Sequence, residues 1–181
     1  MVYTLLANGF EEIEALAVVD ILRRAEVPVK TVSISNDLTV CGAHGINVIA
    51  DITIEQTDVN FDVLFLPGGY PGYVNLESEP KVLEIIKQAN TQNKIIAAIC
   101  AAPSILGKMG LLSDKKACCF PSFEDKLVGA DVSFDDVCAD GKIITSRGAG
   151  TAHKLGFALV EVLKDKTTAE NLRKTMIYDN E

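Results

Sequence analysis

Cys100 stands at the junction of two unlike stretches of chain, and its surroundings suit a reactive thiol. Before it runs Ile95 to Ile99, unbroken and apolar, as expected of a strand covered on both faces in a parallel sheet. After it come Ala101, Ala102 and Pro103, and a proline with fixed φ and no N–H suits the first turn of a helix. The reading is strand, sharp turn, helix. Such a turn presents its side chain at the carboxyl end of a sheet, facing helix N–H groups that favour thiolate over thiol. The same residues also suit a small buried hydrophobe that ends a strand, and the motif alone leaves both readings open.

A thiol nucleophile needs a base or a proton store. His44, in a hairpin loop, and His153, in the first turn of a late helix, are the only histidines; neither adjoins Cys100, and both read as surface residues. Among Glu11, Glu12 and Glu14, which open the first helix, Glu14 lies between Ile13 and Ala15. An apolar surround would raise its pKa and let it keep a proton near neutral pH, whereas a solvated acidic first turn is the alternative. Pro67, Gly68 and Gly69 end another buried run, Phe61 to Leu66. Paired glycines there either aim successive N–H groups into a concavity, an oxyanion cradle, or make an ordinary tight turn. Arg147 offers an anion contact before a helix or a structural ion pair. Cys118 and Cys119 read as two faces of one strand, with one in the core; no further ligands stand at zinc spacing, so no metal is expected.

These residues need a frame. Val2 to Ala7 predicts a first strand and Phe10 to Ala25 a helix, acidic at its start, basic at its end and apolar almost all round, so that it is buried on the sheet and on something further, with a second subunit across a twofold interface as one candidate. Val27 to Ile34 is a second strand, and Leu38 to Cys41 with Ile46 to Ile52 a hairpin at the sheet edge. Glu79 to Thr91 is an amphipathic helix, and Lys116 to Phe120 a strand. Val132 to Val137 and Lys142 to Ser146 flank an Asp140-Gly141 hairpin turn. Thr151 caps a helix over Ala152 to Leu163, and Thr168 to Met176 is the last helix. Strands alternating with helices predict an α/β fold, one domain over residues 1–181, with a mostly parallel sheet and helices on both faces. Three loops, Asn8 to Glu14, Pro67 to Gly69 and Cys100 to Pro103, leave the carboxyl edge, where such sheets bind ligands.

The net charge of −8, from 17 basic and 25 acidic residues, leaves no basic stripe, so no nucleic acid partner is expected. Five cysteines without framework spacing point to a reducing compartment. The start reads as a buried strand rather than a signal peptide, and no apolar run approaches the roughly 20 residues of a membrane span. A cytoplasmic protein with no membrane partner is the expectation.

Taken together, EEIEA at the first helix, LFLPGG, AAICAAP at the elbow and TSRGAGT before the penultimate helix resemble the ThiJ/PfpI superfamily, in the branch of the parkinsonism-associated deglycase DJ-one and its bacterial counterparts. The likeness runs in order along essentially the whole chain. It implies a flavodoxin-like sandwich with a nucleophile elbow, usually dimeric. It implies Cys100 as nucleophile, Glu14 as its hydrogen-bonding glutamate, and oxyanion contacts at Gly68, Gly69 and the N–H of Ala101. The implied chemistry is that of a glyoxalase acting on 2-oxoaldehydes such as methylglyoxal and glyoxal, or a deglycase acting on glycated amines, with no cofactor. A redox sensor or holdase chaperone using the same cysteine is the rival reading. Two departures matter: Ala101 stands where protease-like members carry histidine, which disfavours a Cys peptidase or amidase, and Phe120 precedes Pro121 where some animal members carry histidine.

Overall fold

A computed structural model describes residues 1–178. Its centre is a seven-stranded sheet in the order β10-β11-β7-β6-β1-β2-β5. The strands are β1 (Val2–Leu6), β2 (Val29–Ser33), β5 (Ile52–Thr53), β6 (Val63–Leu66), β7 (Ile95–Ile99), β10 (Val137–Asp140) and β11 (Ile143–Ser146). All neighbours are parallel except β10, which pairs antiparallel with β11. Two small sheets lie outside it: β3 (Thr39–Cys41) with β4 (Asn47–Ile49), and β8 (Lys116–Ala117) with β9 (Asp131–Val132). The helices are α1 (Glu12–Arg24), α2 (Gly72–Ser78), α3 (Pro80–Thr91), α4 (Pro103–Lys108), α5 (Ala152–Leu163) and α6 (Lys166–Thr175).

The apolar runs are unbroken because both faces of the sheet are covered. Along β6 and β7, Val63, Phe65, Ile95, Ala97 and Ile99 turn to one face and pack with Val18 and Leu22 of α1 and Leu155 and Leu159 of α5. Leu64, Leu66, Ile96 and Ala98 turn to the other and meet Val82 and Ile86 of α3 and Ile105 of α4. The period of two is therefore present in direction while absent in polarity. The something further that α1 needed is α5, packed so closely that a Cβ on Gly156 would lie 2.8 Å from Ile21 Cδ1.

Several boundaries differ from expectation. The 39–49 hairpin forms its own sheet rather than a sheet edge, bound to the start of α1 by Gly9 N–H to Cys41 O (2.7 Å) and Ala43 N–H to Phe10 O (2.8 Å). The edge is taken by β5. Val132 to Val137 is not one strand, because Ser133 Oγ accepts from the Asp135 amide at 3.1 Å and makes a turn there. Cys138 and Ala139 consequently belong to β10, and only the Asp140-Gly141 end turns, Gly141 at φ +61. Cys118 and Cys119 are both buried, so neither faces solvent. The last helix starts two residues early, at Lys166, because Asp165 Oδ1 caps it by accepting from Thr168 N–H at 2.8 Å. Helix α2 was not anticipated. Among the described residues no helix is long and apolar enough to cross a membrane.

Candidate active site

The carboxyl ends of β1, β6, β7 and β11 bring four loops together, and Cys100 sits among them at φ +64, in the left-handed region. A non-glycine residue holds that conformation only where its surroundings fix it. Here its N–H donates to Ser146 O (3.0 Å) and its C=O accepts from Phe120 N–H (2.8 Å). The backbone is thus pinned from the β11 side and from the loop after β8, and the half-buried thiol stands clear of β7.

Glu14 lies in the first turn of α1, 1% exposed, and faces the thiol as its hydrogen-bond partner. Its Oε2 accepts the Gly68 amide at 2.9 Å. The amides of Gly69 and Ala101 hydrogen-bond to the Cys100 sulfur. The glycine pair is required by space: a Cβ on Gly68 would come within 2.6 Å of both Cys100 Cβ and Glu14 Oε2, and one on Gly69, at φ +93, within 2.3 Å of Glu11 N. Gly68, grouped by resemblance with the oxyanion donors, has its amide committed to Glu14, whereas the amides of Gly69 and Ala101 point at the reacting position.

Electrostatics correct the expectation of an acidic thiol. Burial pushes the Glu14 carboxyl up to about 7, against the lowering effect of its hydrogen bonds to Cys100 and Gly68. Burial, then the neighbouring Glu14 charge, push the Cys100 thiol up to about 12, and the two amides offset only part of this. While Glu14 is charged the proton stays on sulfur. The thiolate is the stronger base of the pair, so it is relieved of the neighbouring charge only when the thiol proton passes to Glu14, a transfer that becomes favourable as the sulfur bonds to an electrophile. The two side chains hold one transferable proton between them.

Above them opens a cavity of about 470 Å³. Its floor is Cys100, Glu14, Gly69 and Ala101, and its wall carries Tyr70, Tyr73, Phe120 and Phe123. The aromatic wall was not foreseen; a tyrosine directly after Gly69 was its one sequence signal. A larger hollow of about 560 Å³ lies between α5 and α6, lined by Lys154, Glu161, Lys166 and Glu170, with no nucleophile.

The remaining candidates fall elsewhere. His44 binds the buried Glu12: its amide donates to Oε1 and its Nδ1 lies 2.8 Å from Oε2. Glu11, Glu12 and His44 are the one cluster of metal-ligating types among the described residues, with ligand atoms within 4.8 Å of one another. Both Glu12 oxygens are already taken, Oε1 by the amides of His44 and, at 3.4 Å, Ile46, and Oε2 by the His44 ring. His153 stacks on Tyr178, 5.7 Å between centroids. Arg147 makes no ion pair among the described residues; it donates to Phe134 O at 3.4 Å and lies 5.9 Å from that ring. Thr151 precedes α5 without capping it, since its Oγ1 accepts from the amides of Arg147 (3.2 Å) and Gly148 (3.0 Å) and holds that loop closed.

The curated relatives include Protein DJ-1 homolog B of Arabidopsis thaliana, 40% identical over 167 residues, which cover 91% of this chain but only 38% of that protein. The chain thus spans well under half of that longer relative. The glutathione-independent glyoxalase DJR-1.2 of Caenorhabditis elegans is 29% identical over 92% of this chain and 89% of its own. Among solved structures, a DJ-1 superfamily protein from Salmonella typhimurium superposes with a TM-score of 0.94 at 30% identity, covering 99% of this chain and 98% of that one. The model of the DJ-1/PfpI family matches residues 1–162, and this chain, with its flavodoxin-like sheet and cysteine elbow, belongs to that family.

Proposed function

We propose that the protein is a cysteine-dependent, cofactor-independent glyoxalase that converts 2-oxoaldehydes such as methylglyoxal to 2-hydroxy acids, with early glycation adducts of amines as related substrates. The observation that carries this reading is the buried Glu14 carboxyl placed against the Cys100 thiol and raised to about 7, beside two amides aimed at the sulfur. A carboxyl that gains and loses a proton near neutral pH suits a reaction that moves one proton between adjacent carbons.

The steps balance without an external oxidant. Glu14 carboxylate takes the thiol proton as sulfur bonds to the aldehyde carbon, and the amides of Gly69 and Ala101 stabilise the developing alkoxide. Glu14 returns that proton to the oxygen, giving a hemithioacetal. It then removes the hydrogen on the former aldehyde carbon as a proton and delivers it to the former ketone carbon, while the hydroxyl proton passes to the second oxygen. The first carbon is oxidised to a thioester and the second reduced to an alcohol, two electrons each way. Water cleaves the thioester, releasing the hydroxy acid and restoring the thiol.

Cys100→Ala and Glu14→Gln, assayed separately for lactate from methylglyoxal without glutathione, are each expected to abolish turnover. Wild-type turnover in either removes the assignment. The rival reading, a redox sensor, draws on the same geometry, since the donors that would hold an alkoxide also suit a sulfinate on Cys100. Mass spectrometry after mild peroxide separates them: selective Cys100 oxidation that alters partner binding favours the sensor, whereas oxidation that only stops turnover favours the enzyme.

The reading extends to a cytoplasmic homodimer. All five cysteines are free, as a reducing compartment would keep them. Ile13 of α1 and Ile46 and Ile49 beside it in the hairpin are exposed apolar residues that suit a twofold contact. Gel filtration returning a monomer would remove the dimer.

A further inference from the structure

The reacting groups occupy only the floor of the 470 Å³ cavity, and a three-carbon oxoaldehyde would leave its aromatic wall without a partner. That wall is drawn from two separate segments. Tyr70 and Tyr73 follow the glycine pair, with ring centroids 6.4 Å apart, and Phe120 and Phe123 follow Cys119. The segments join where Tyr73 meets Phe123 edge-on, 5.5 Å between centroids at 84°. Tyr70 is 76% exposed and Phe120 46% exposed, so two large rings face the opening rather than the core. Gly148 lies beside the Phe120 ring, where a Cβ would make ordinary contact at 3.4 Å from Phe120 Cδ2.

Charge narrows the choice further. No lysine or arginine lines the cavity, while Glu11 and Glu14 do, so a phosphate or carboxylate on the substrate would meet only acids. Lys126 lies over the Phe123 ring, 4.0 Å from its centroid, without lining the cavity. A polyhydroxylated sugar chain would find aromatic carbon where it needs many hydrogen-bond partners. A neutral aromatic ring fits both conditions, because tilted and edge-on ring pairs are favourable beyond the area they bury.

Resting on the glyoxalase reading above, we infer that the preferred substrates are arylglyoxals, 2-oxoaldehydes whose ketone carbon carries a neutral aromatic group, and that Tyr73 and Phe120 determine this specificity. The reaction is the same internal oxidation and reduction: phenylglyoxal and water give mandelic acid, with the aldehyde carbon oxidised, the ketone carbon reduced and no further reactant consumed.

The test is steady-state kinetics without glutathione, following mandelate from phenylglyoxal and lactate from methylglyoxal by chromatography, for the wild type, Tyr73→Ala, Phe120→Ala, Phe120→Leu and Cys100→Ala. The wild type should favour phenylglyoxal by roughly tenfold or more in kcat/KM, the scale on which an apolar pocket discriminates small hydrophobic differences. Tyr73→Ala and Phe120→Ala should each lower the ratio of phenylglyoxal to methylglyoxal by about fivefold or more, chiefly through KM. Phe120→Leu, which keeps apolar bulk without the ring, should fall between wild type and Phe120→Ala and guards against a folding defect in the smaller variant. Methylglyoxal turned over as well as phenylglyoxal, or ratios unchanged in every wall variant, would overturn the specificity while leaving the glyoxalase reading intact. Turnover of neither aldehyde, or turnover surviving in Cys100→Ala, would overturn both.

Discussion

The amide of Gly68 and the carboxyl of Glu14, 54 residues apart in the chain, meet at 2.9 Å. This bond fixes one carboxyl oxygen on the β6 loop and leaves the other half of the group free to serve Cys100. The proton carrier is therefore aimed by backbone rather than by a neighbouring side chain, and the loop that aims it leads directly into Gly69, whose amide faces the sulfur.

Gly68→Ala should injure the site selectively. Its Cβ would lie 2.6 Å from both Cys100 Cβ and Glu14 Oε2, so the pair must separate. A displacement near an ångström at reacting groups costs on the order of 100-fold in kcat/KM. Circular dichroism showing a folded protein with full turnover would refute this aim.

Glu14→Gln should change how stability depends on pH. The folded carboxyl is raised from 4.5 to about 7, so the native state holds a proton the unfolded chain has released. Its stabilising effect is complete below pH 4.5 and is lost as pH rises through about 7. The variant should lack this decline and exceed the wild type at pH 8 by up to about 3 kcal/mol in urea unfolding. In the wild type, kcat/KM should rise with pH through about 7 as the accepting carboxylate forms. A flat profile in both measurements would count against the raised carboxyl.

Much of this frame was legible because β6 and β7 are unbroken apolar runs ended by Pro67-Gly68-Gly69 and by Cys100-Ala101-Ala102-Pro103, punctuation that few other structures explain. Helix α2 was invisible, since GYVNLES follows a Pro-Gly turn signal and carries little apolar period. The acidity of Cys100 was misjudged because a sequence shows the amide donors but neither the desolvation nor the charge of Glu14, which arrives from another element. The aromatic wall escaped for the same reason: Tyr73 and Phe123 become neighbours only through the fold.

Glu12→Ala should loosen the 39–49 hairpin. Burial opposes charge on Glu12, but its hydrogen bonds to the His44 ring and to the His44 and Ile46 amides hold the carboxyl below its ordinary value. The same hydrogen bond, followed by the charge of Glu11, raises His44. The Glu12 contribution is present above 4.5 and is lost as pH falls through its lowered folded value. The His44 contribution is present below 6.5 and is lost as pH rises through its raised folded value. Protection of the hairpin amides, taken relative to their intrinsic exchange rates at each pH, should be greatest between pH 4.5 and 6.5 and fall throughout that window in the variant.

Gly156→Val should separate α5 from α1. Even a Cβ at this position would lie 2.8 Å from Ile21 Cδ1 and 3.1 Å from Ile21 Cβ, and Ile21 belongs to the buried layer between the helices. Overpacking of this kind costs about 1–3 kcal/mol, and calorimetry should show a lowered Tm. An unchanged Tm would mean the two helices are free to move apart.

The left-handed backbone at position 100 has a further meaning. Left-handed geometry costs an ordinary residue roughly 1–2 kcal/mol and costs glycine almost nothing, so Cys100→Gly should melt later than the wild type while losing its thiol chemistry. The corner of the chain that supplies reactivity is the one where folding alone would have chosen no side chain at all. Thermostability and turnover are thereby set against each other at a single Cα, and a search for sturdier variants by melting temperature would begin by discarding the sulfur.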